Sequence, residues 1–280
     1  LGILNRWQGF AVEPSEKGSW AMLRELWEQH VCAGNAEHFR YQFGWFAHHI
    51  QKRDHRDRPG VSLWLRGPKG SGKNTIIDAV GRLWGRHYKA IDKAVHLTGK
   101  HNDHLETSTL IHLVEANWLK SREDEGTLKA YITDDTIPIE PKFFTRYECA
   151  NYLSIAGSSN AEWVVPCSPD ERRYAVFDVP NHTHVRDGEF FGRLKAELRA
   201  GGFERLLWDL QHYDLDGLDL RKLPGTAALA DQKRMSSDPV TAWLWQVCDE
   251  GSFTGHKMNE DKVSRIPKCD VRMAIEARHG

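Results

Sequence analysis

The chain has 280 residues, of which 40% are hydrophobic and 28% charged, an ordinary balance for a globular protein with a buried core. Its net charge of −1 excludes a global field that attracts nucleic acid, so any such contact needs a local basic patch or an assembled ring of basic loops. The five cysteines lack CxxC spacing, which argues against a zinc site or disulfide framework and fits a reducing compartment. With no secretory signal and no membrane-length apolar run, a cytoplasmic location is expected.

The first part of the chain is predicted to be helical. Apolar residues recur at helical spacing from Trp20 to Val31 and again in "AEHFRYQFGWFAHHIQKR". The polar stretch "QKRDHRDRPG" then ends in a Pro-Gly breaker, so we place a domain boundary after residue 58. Residues 1–58 are therefore predicted to form an N-terminal helical segment.

A glycine-rich loop follows the next apolar run. "VSLWLRG" is predicted as a buried strand and "KNTIIDAVGRLWG" as a helix, and "GPKGSGKNT" between them nearly matches GxxxxGK[ST]. Glycines let backbone N–H groups turn inward around phosphate oxygens, and the helix adds its positive amino end. The pattern predicts a nucleotide site made of Gly67, Pro68, Lys69, Gly70, Ser71, Gly72, Lys73, Asn74 and Thr75. A glycine-lysine loop without a nucleotide is the alternative.

Asn74 departs from the motif, which has Ser or Thr at this position to hold Mg²⁺. An asparagine carbonyl oxygen is also a hard ligand, but its side chain is longer, so we expect a weak magnesium position. Thr75 faces a different direction on the helix. It is predicted to contact the α-phosphate instead.

Three further apolar runs, "TLIHLVE", "NYLSIAGSSN" and "YAVFDVP", are predicted as buried strands. Helical segments such as "GTLKAYIT" separate some of them, which indicates an α/β fold with a parallel sheet covered on both faces. "IPIEPKFFTRYECA", from Ile137 to Ala150, is predicted as an inserted hairpin. We assign this core to residues 59–180.

Glu115 ends the predicted strand "TLIHLVE" and is the candidate catalytic carboxylate. The chain between Lys73 and Glu115 leaves room for one helix, one strand and a short connection, so the two strand tips are expected to lie side by side. The usual Asp-Glu pair is incomplete, because Val114 replaces the Asp. A plain carboxylate at a strand exit is the alternative.

Asn160 and two arginines complete the predicted site. Asn160 ends the next strand, where its amide could bond a γ-phosphate or the attacking water, although "SSN" is also a common turn. Arg172 and Arg173 precede the last strand, and an arginine can stabilise the charge of phosphoryl transfer, often across a subunit boundary. Two surface arginines paired with Asp170 and Glu171 are the alternative.

Beyond residue 180 the pattern is helical again. "GEFFGRLKAELRAGG", "GFERLLWDL" and "SDPVTAWLWQVCDEG" are predicted helices, the last with Asp238 as its cap. We assign residues 181–250 to a C-terminal helical segment and 251–280 to a polar tail or the start of a further module. The histidines show no metal-binding spacing, so no metal site is predicted from them.

In this order, "GPKGSGKNT", "LIHLVEA", "LKAYIT", "IPIEPK", "SSN" and "ERRY" resemble the phage, plasmid and poxvirus-type primase-helicases. These belong to the superfamily 3 helicases within the AAA+ P-loop ATPases. The opening "NRWQGFAVEP" and the later "KLPGTAALADQK" also look like that family, so the resemblance covers roughly residues 5 to 250.

The resemblance implies a hexameric ring that uses ATP and Mg²⁺ to move along DNA, in the host cytoplasm if the source is viral. The chain begins without Met and ends in a polar stretch, so both ends are expected to be cuts within a longer protein. The family often joins this domain to a primase or polymerase module. It assigns phosphate binding to Lys73, catalysis to Glu115, a sensor role to Asn160 and the arginine finger to Arg172 or Arg173. Its hairpin presents DNA-contacting residues, for which the candidates are Lys129, Lys142 and Arg146.

The departures at Asn74 and Val114 keep a second function open. A module that binds nucleotide or DNA with little turnover would tolerate both changes, unless another acid replaces the missing one. Candidate replacements are Asp103, Asp124 and Asp178. A small-molecule kinase is a third possibility, but the inserted hairpin and the order of "SSN" and "ERRY" argue against it.

Overall fold

The computed structural model describes residues 6–99, 101–115 and 122–237, together with a few isolated positions near the C-terminus. Its centre is a parallel sheet of five strands: β1 (Ser62–Arg66), β2 (Tyr88–Ile91), β3 (Leu110–Val114), β6 (Ser154–Ser159) and β7 (Tyr174–Asp178). Their spatial order is β2-β3-β6-β1-β7. The mixed α/β class and the four predicted apolar strands are confirmed.

The predicted hairpin is also confirmed. Strands β4 (Thr136–Ile139) and β5 (Tyr147–Ala150) pair antiparallel outside the main sheet, with Ile137 opposite Cys149. A second short antiparallel pair joins β8 (Ser252–Phe253) and β9 (His256–Lys257).

Seven α-helices have bounds within the described residues: α1 (Ala21–Glu25), α2 (Ala36–Gln51), α3 (Lys73–Trp84), α4 (Arg122–Thr133), α5 (Gly188–Glu197), α6 (Phe203–Gln211) and α7 (Ala227–Met235). A π-helical turn, Leu26–Val31, continues α1, and another, Leu198–Gly202, joins α5 to α6. Asn35 caps α2 through its side chain, as the helix-start preference for Asn predicts. The helix predicted to begin at Asp238 lies mostly outside the described residues.

Helices cover both faces of the sheet, as expected for buried parallel strands. On one face, Leu63, Leu65 and Phe177 of the sheet share an apolar core with α1, α2, α3, α5 and α6. On the other face, Trp64, Ile111 and neighbouring strand residues pack with α4, α7 and the β4–β5 hairpin. The two cores are separated only by the sheet, so residues before 58 and after 180 pack on the same framework as the glycine-rich loop.

One expectation about the sheet is wrong. Strands β1 and β3 are not neighbours, because β6 lies between them and pairs with both. Gly157 on β6 makes this close pairing possible, since a Cβ there would come within 2.1 Å of the fully buried Trp64 ring. The tips of the strands that precede Lys73 and Glu115 are therefore separated by the tip that carries Asn160.

None of the helices within the described residues has the length and apolar character that crossing a bilayer requires.

Candidate functional site

The glycine-rich loop, residues 67–72, connects β1 to α3 at the carboxyl edge of the sheet. Gly70 and Gly72 have φ angles of +85° and +89°, a region that side-chain-bearing residues rarely adopt. Both glycines also lie against other parts of the chain: a Cβ at Gly70 would come 2.7 Å from the Arg186 side chain, and one at Gly72 would come 2.8 Å from Leu26. The loop is therefore held by its own glycines and by two flanking segments.

Lys73 begins α3 and its side chain turns back into this loop. Its ammonium donates to the carbonyl oxygens of Gly67 and Pro68, both at 2.8 Å, and to Asn160 Oδ1 at 3.0 Å. Only 4% of the residue is exposed. Burial lowers the pKa of Lys73, and the nearby Glu115 carboxylate partly offsets that effect. The loop thus surrounds a buried cation whose hydrogen-bond acceptors are neutral oxygens, with no carboxylate in direct contact.

Asn160 joins Lys73 to Glu115. Its side-chain amide nitrogen donates to one Glu115 carboxylate oxygen, and its backbone N–H donates to the other at 3.3 Å. Glu115 has a φ angle of +52°, which is uncommon for a residue with a side chain and is typical of functional sites. The structure therefore brings three of the predicted residues into one hydrogen-bonded line, with the amide in the middle.

Asn74 and Thr75 occupy the first turn of α3 and are half-buried. Val114 ends β3, also half-buried, and pairs in register with Ser158. Asn74 offers a carbonyl oxygen beside the loop, whereas Val114 offers only carbon. The site beside Lys73 thus has fewer oxygen atoms for a magnesium ion than a site with an Asp-Glu pair and a Ser or Thr hydroxyl would have.

The candidate replacement acids are unevenly placed. Asp178 ends β7 beside the β1 tip, but it forms a bidentate pair with Arg66 at 2.5 and 2.8 Å. Asp103 lies in a 3₁₀ turn before β3, at the opposite edge of the sheet from Lys73. Asp124 accepts a hydrogen bond from Thr98 at 2.6 Å. Only Asp178 ends a strand adjacent to β1, and its charge is already paired.

An open cleft of about 510 Å³ extends from the loop. Its lining includes Gly67, Pro68 and Asn160 together with Arg66, Asp178 and Asp231. Arg66 Nη2 also contacts Asp231 of α7 at 2.9 Å. The cleft is thus lined by an Arg with two carboxylates as well as by the loop and Asn160. Its volume is enough for part of a nucleotide.

Arg172 and Arg173 lie at the opposite, amino edge of the sheet. Arg173 contacts the buried Glu171 carboxylate at 3.3 Å, and its carbonyl accepts from the Ser62 N–H at the start of β1. Arg172 is exposed. Because β1 runs its full length between this edge and the glycine-rich loop, neither arginine joins the Lys73 line within one chain.

The basic candidates on and near the hairpin differ in their contacts. Lys129 on α4 pairs with Glu125 and lies 3.8 Å from Glu171. Lys142 and Arg146 lie in the loop between β4 and β5, where Lys142 rests 4.9 Å from the centre of the Phe143 ring. That loop also exposes two aromatic side chains, with Phe143 90% and Phe144 76% exposed.

Two features near the site were missed in the sequence. Arg66 and Asp231 line the cleft, yet an arginine at a strand end carries no motif. His112, a polar residue inside the apolar run "LIHLVE", could have been a signal: it is fully buried and bonds Asp78 of α3 and Ser158 of β6, both at 2.8 Å. This Asp-His-Ser set is closed to substrate because Ser158 is buried. It instead ties α3, β3 and β6 together, and these elements carry Lys73, Glu115 and Asn160.

Comparison with known proteins places these residues in context. Residues 65–173 match a family of unknown function, DUF5906. Over 130 residues the chain is 28% identical to the DNA primase-polymerase of Nitratiruptor phage NrS-1, covering 45% of this chain and 18% of that protein.

Solved apo structures of the NrS-1 C-terminal region align with 95% of this chain. Two of them give TM-scores of 0.71 and 0.69 at 17% identity, and the match covers 64% of each solved chain. The chain thus spans less than two thirds of those structures and a small part of the phage protein. It shares the fold of that C-terminal region and is similar in sequence to a phage replication protein.

Proposed function

We propose that this chain is the ATP-hydrolysing domain of a replicative DNA helicase from a phage or mobile element, with the P-loop fold of the AAA+ superfamily 3 class. The observation that carries the proposal is the line Lys73–Asn160–Glu115 at the carboxyl edge of the sheet. A phosphate-binding lysine and a catalytic carboxylate must act on the same phosphoryl group, and one amide here contacts both.

The loop fits a nucleotide triphosphate. The Lys73 ammonium is buried against neutral carbonyls, so a phosphate oxygen would supply the negative charge that this cation lacks. The amino end of α3 and the N–H groups of the loop add to the attraction for an anion. Lys73 would exchange its loop carbonyls for the β- and γ-phosphates.

Glu115 and Asn160 would act on the attacking water. A carboxylate at this strand tip polarises water. The Asn160 amide bonds the Glu115 carboxylate and would hold it in place. The same amide also bonds Lys73, the residue that would contact the γ-phosphate. In the resting chain both groups bond each other. We infer that a nucleotide that draws Lys73 away from Asn160 weakens the hydrogen bonds between Asn160 and Glu115. Nucleotide binding is thereby coupled to catalysis.

Magnesium fits the site with few ligands. Among the described residues beside Lys73, Asn74 Oδ1 and the Glu115 carboxylate are the oxygens that would hold it, and Val114 contributes none. Bound Mg²⁺ neutralises the charge that develops on transferring phosphates. We expect a high magnesium requirement because the protein supplies so little of the coordination shell.

The arginines and the hairpin support action as a ring on DNA. Since Arg172 and Arg173 lie at the far edge of the sheet from their own Lys73, an arginine finger here would reach the nucleotide of a neighbouring copy. The hairpin tip would present Lys142, Arg146, Phe143 and Phe144 to a nucleic-acid strand. Basic and aromatic side chains together are the usual contacts of single-stranded nucleic acid.

The similarity to a phage primase-polymerase supports a replication role and a covalently linked primase or polymerase module. It also supports action in the host cytoplasm. Because the chain spans 18% of that relative, these remain parts of the proposal.

The test of the proposal is ATP turnover with and without single-stranded DNA, across magnesium concentrations. We expect DNA-stimulated hydrolysis in the unsubstituted chain, loss in Lys73→Ala, and retention in Lys195→Ala, an exposed lysine of α5 outside the predicted site. Turnover in the unsubstituted chain no faster than in Lys73→Ala would refute the motor function.

Mixed assemblies test the ring. A Lys73→Ala chain keeps its arginines, and an Arg172→Ala/Arg173→Ala chain keeps its loop. If the finger acts between copies, mixing two inactive chains restores turnover at interfaces that combine both intact parts. Mixtures that stay inactive would contradict a finger acting between copies.

A weakly hydrolysing AAA+ module that binds DNA or organises an attached primase is the second candidate. It is favoured by the carbon side chain at Val114 and by the pairing of Asp178 with Arg66, which leaves the missing acid unreplaced among the described residues. It predicts binding with negligible turnover, and higher turnover in Asn74→Ser/Val114→Asp. An inactive chain that gains nothing from this double substitution would contradict the second candidate.

A further inference from the structure

Three histidines far apart in the sequence meet beside the glycine-rich loop. His30 lies in the π-helical turn after α1, and His182 and His184 follow β7. The His30 ring centre is 4.8 Å from that of His182 and 5.0 Å from that of His184. Glu25 joins them, and one donor atom each from Glu25, His30 and His184 lies within 4.8 Å of the others.

His184 is held by neighbouring groups. Its Nδ1 lies 3.1 Å from the Asp187 carboxylate, so Nε2 is the nitrogen left to bind a cation. A carboxylate bonded to the far nitrogen is the usual support of a metal-binding histidine, because it fixes the tautomer and the ring direction. The ring also stacks on the buried Phe190 at 3.8 Å and 13°.

His182 has a different partner. Its Nε2 lies 3.0 Å from the Ser71 carbonyl of the glycine-rich loop, while its ring stacks on His30. The same segment contacts the loop a second time, since the Arg186 N–H donates to the Gly70 carbonyl at 3.1 Å. His182 therefore stacks on His30 and links the histidine cluster to the glycine-rich loop.

We propose that Glu25, His30 and His184 form a binding site for one transition-metal ion of the zinc class. Two imidazoles and one carboxylate are donors that Zn²⁺ accepts, with a water in the fourth position. Tetrahedral bonds of about 2.1 Å place donors roughly 3.4 Å apart. Donor atoms now separated by up to 4.8 Å would therefore approach each other by up to about 1.4 Å. The exposed Glu25 side chain and the half-buried rings allow that movement.

Occupancy of this site would restrain the glycine-rich loop. The ion would link the turn after α1, whose Leu26 faces Gly72, to the segment that bonds Gly70 and Ser71. The metal site itself does not depend on ATP hydrolysis. A failure of the proposed function would leave it standing.

The experiment is a Zn²⁺ titration of the chelator-treated chain, followed by calorimetry, with Mg²⁺ as the comparison ion. We expect one tight Zn²⁺ site, no heat at that site from Mg²⁺, and visible absorption bands of four-coordinate Co²⁺ when Co²⁺ is used as the probe. Because the chain has 15 histidines, the matched control is His96→Gln/His212→Gln, two exposed histidines outside the cluster. His30→Gln/His184→Gln should lose the tight site, and the control should keep it.

A second variant provides a test in case the chain with both histidine substitutions does not fold. Asp187→Asn retains the cap of α5, because asparagine also accepts from the Phe190 N–H, yet it weakens the support of His184. We expect Zn²⁺ affinity to fall about 10- to 100-fold in this folded chain. Equal affinities in the ligand variants and the control, or no tight site in the unsubstituted chain, would overturn the proposal.

Hydrogen exchange tests the link to the loop. Zn²⁺ should slow exchange in residues 67–72 and 181–187 of the unsubstituted chain and leave His30→Gln/His184→Gln unchanged. Exchange in the loop that does not respond to Zn²⁺ would overturn the restraint.

Discussion

The carboxyl edge of the sheet and the tip of the β4–β5 hairpin both carry candidate functional side chains, but they are organised differently. At the sheet edge, Asn160 bonds both Lys73 and Glu115, and Lys73 is buried. At the hairpin tip, Phe143 and Phe144 are almost fully exposed. The side chains of the first region are held in place by hydrogen bonds within the chain, as catalysis on a small group such as a phosphoryl group requires.

The second region matches a surface whose partner is another molecule. Exposed aromatic rings lose contact with water only when something packs on them. Substitutions at the two regions should consequently affect different measurements, turnover in one case and affinity for nucleic acid in the other.

The largest expected effect is at Glu115. Glu115→Gln retains the shape and can still accept from Asn160, but it cannot take a proton, so turnover should fall about 100-fold or more with nucleotide affinity kept. Steady-state hydrolysis and equilibrium binding measure the two parts. Glu162→Gln, at an exposed carboxylate of the cleft beside the glycine-rich loop, is the control and should be active. Equal losses in both variants would break the comparison.

The hairpin comes second. Phe143→Ala/Phe144→Ala should weaken single-stranded DNA binding by about 1–3 kcal/mol for each stacked base, and leave DNA-independent ATP turnover unchanged. Fluorescence anisotropy with a labelled oligonucleotide measures the affinity. Tyr152→Ala, at a 44% exposed aromatic outside the hairpin, should bind DNA normally. If the hairpin variant lost basal turnover instead, the separation of the two regions would be wrong.

The smallest expected effect concerns a buried histidine outside both regions. Burial lowers the pKa of His49, on α2, to about 3. The unfolded chain takes up this proton below about pH 6.5 while the folded chain does not, so stability falls with decreasing pH by up to about 1.4 kcal/mol per unit. Part of this fall should be absent in His49→Gln and present in His96→Gln, measured by urea unfolding at pH 7, 6 and 5. Parallel pH curves for all three chains would contradict this role of His49.

Much of the framework could be predicted from the sequence. Apolar runs bounded by polar or glycine residues predicted β1, β3, β6 and β7, and the glycine-rich loop fell where a strand meets a helix. These features depend on local spacing. Parallel strands also imply that Arg172 and Arg173, which precede β7, lie at the opposite edge from the loop.

Strand order and the bonded line could not be predicted, because both depend on contacts between distant residues. The insertion of β6 between β1 and β3 follows from Gly157 accommodating the Trp64 ring and from His112 bonding Ser158. That insertion puts Asn160 between Lys73 and Glu115. The histidine cluster arises in the same way, from residues about 150 positions apart that no spacing rule connects.

A double-substitution cycle for ATP turnover tests whether Asn160 and Glu115 act as one unit. If the two residues act as one unit, Asn160→Ala/Glu115→Gln should turn over no more slowly than the slower single variant, since each substitution already disables the pair. Losses that multiply across the two single variants would show that Asn160 and Glu115 act independently, and would contradict their joint role in hydrolysis.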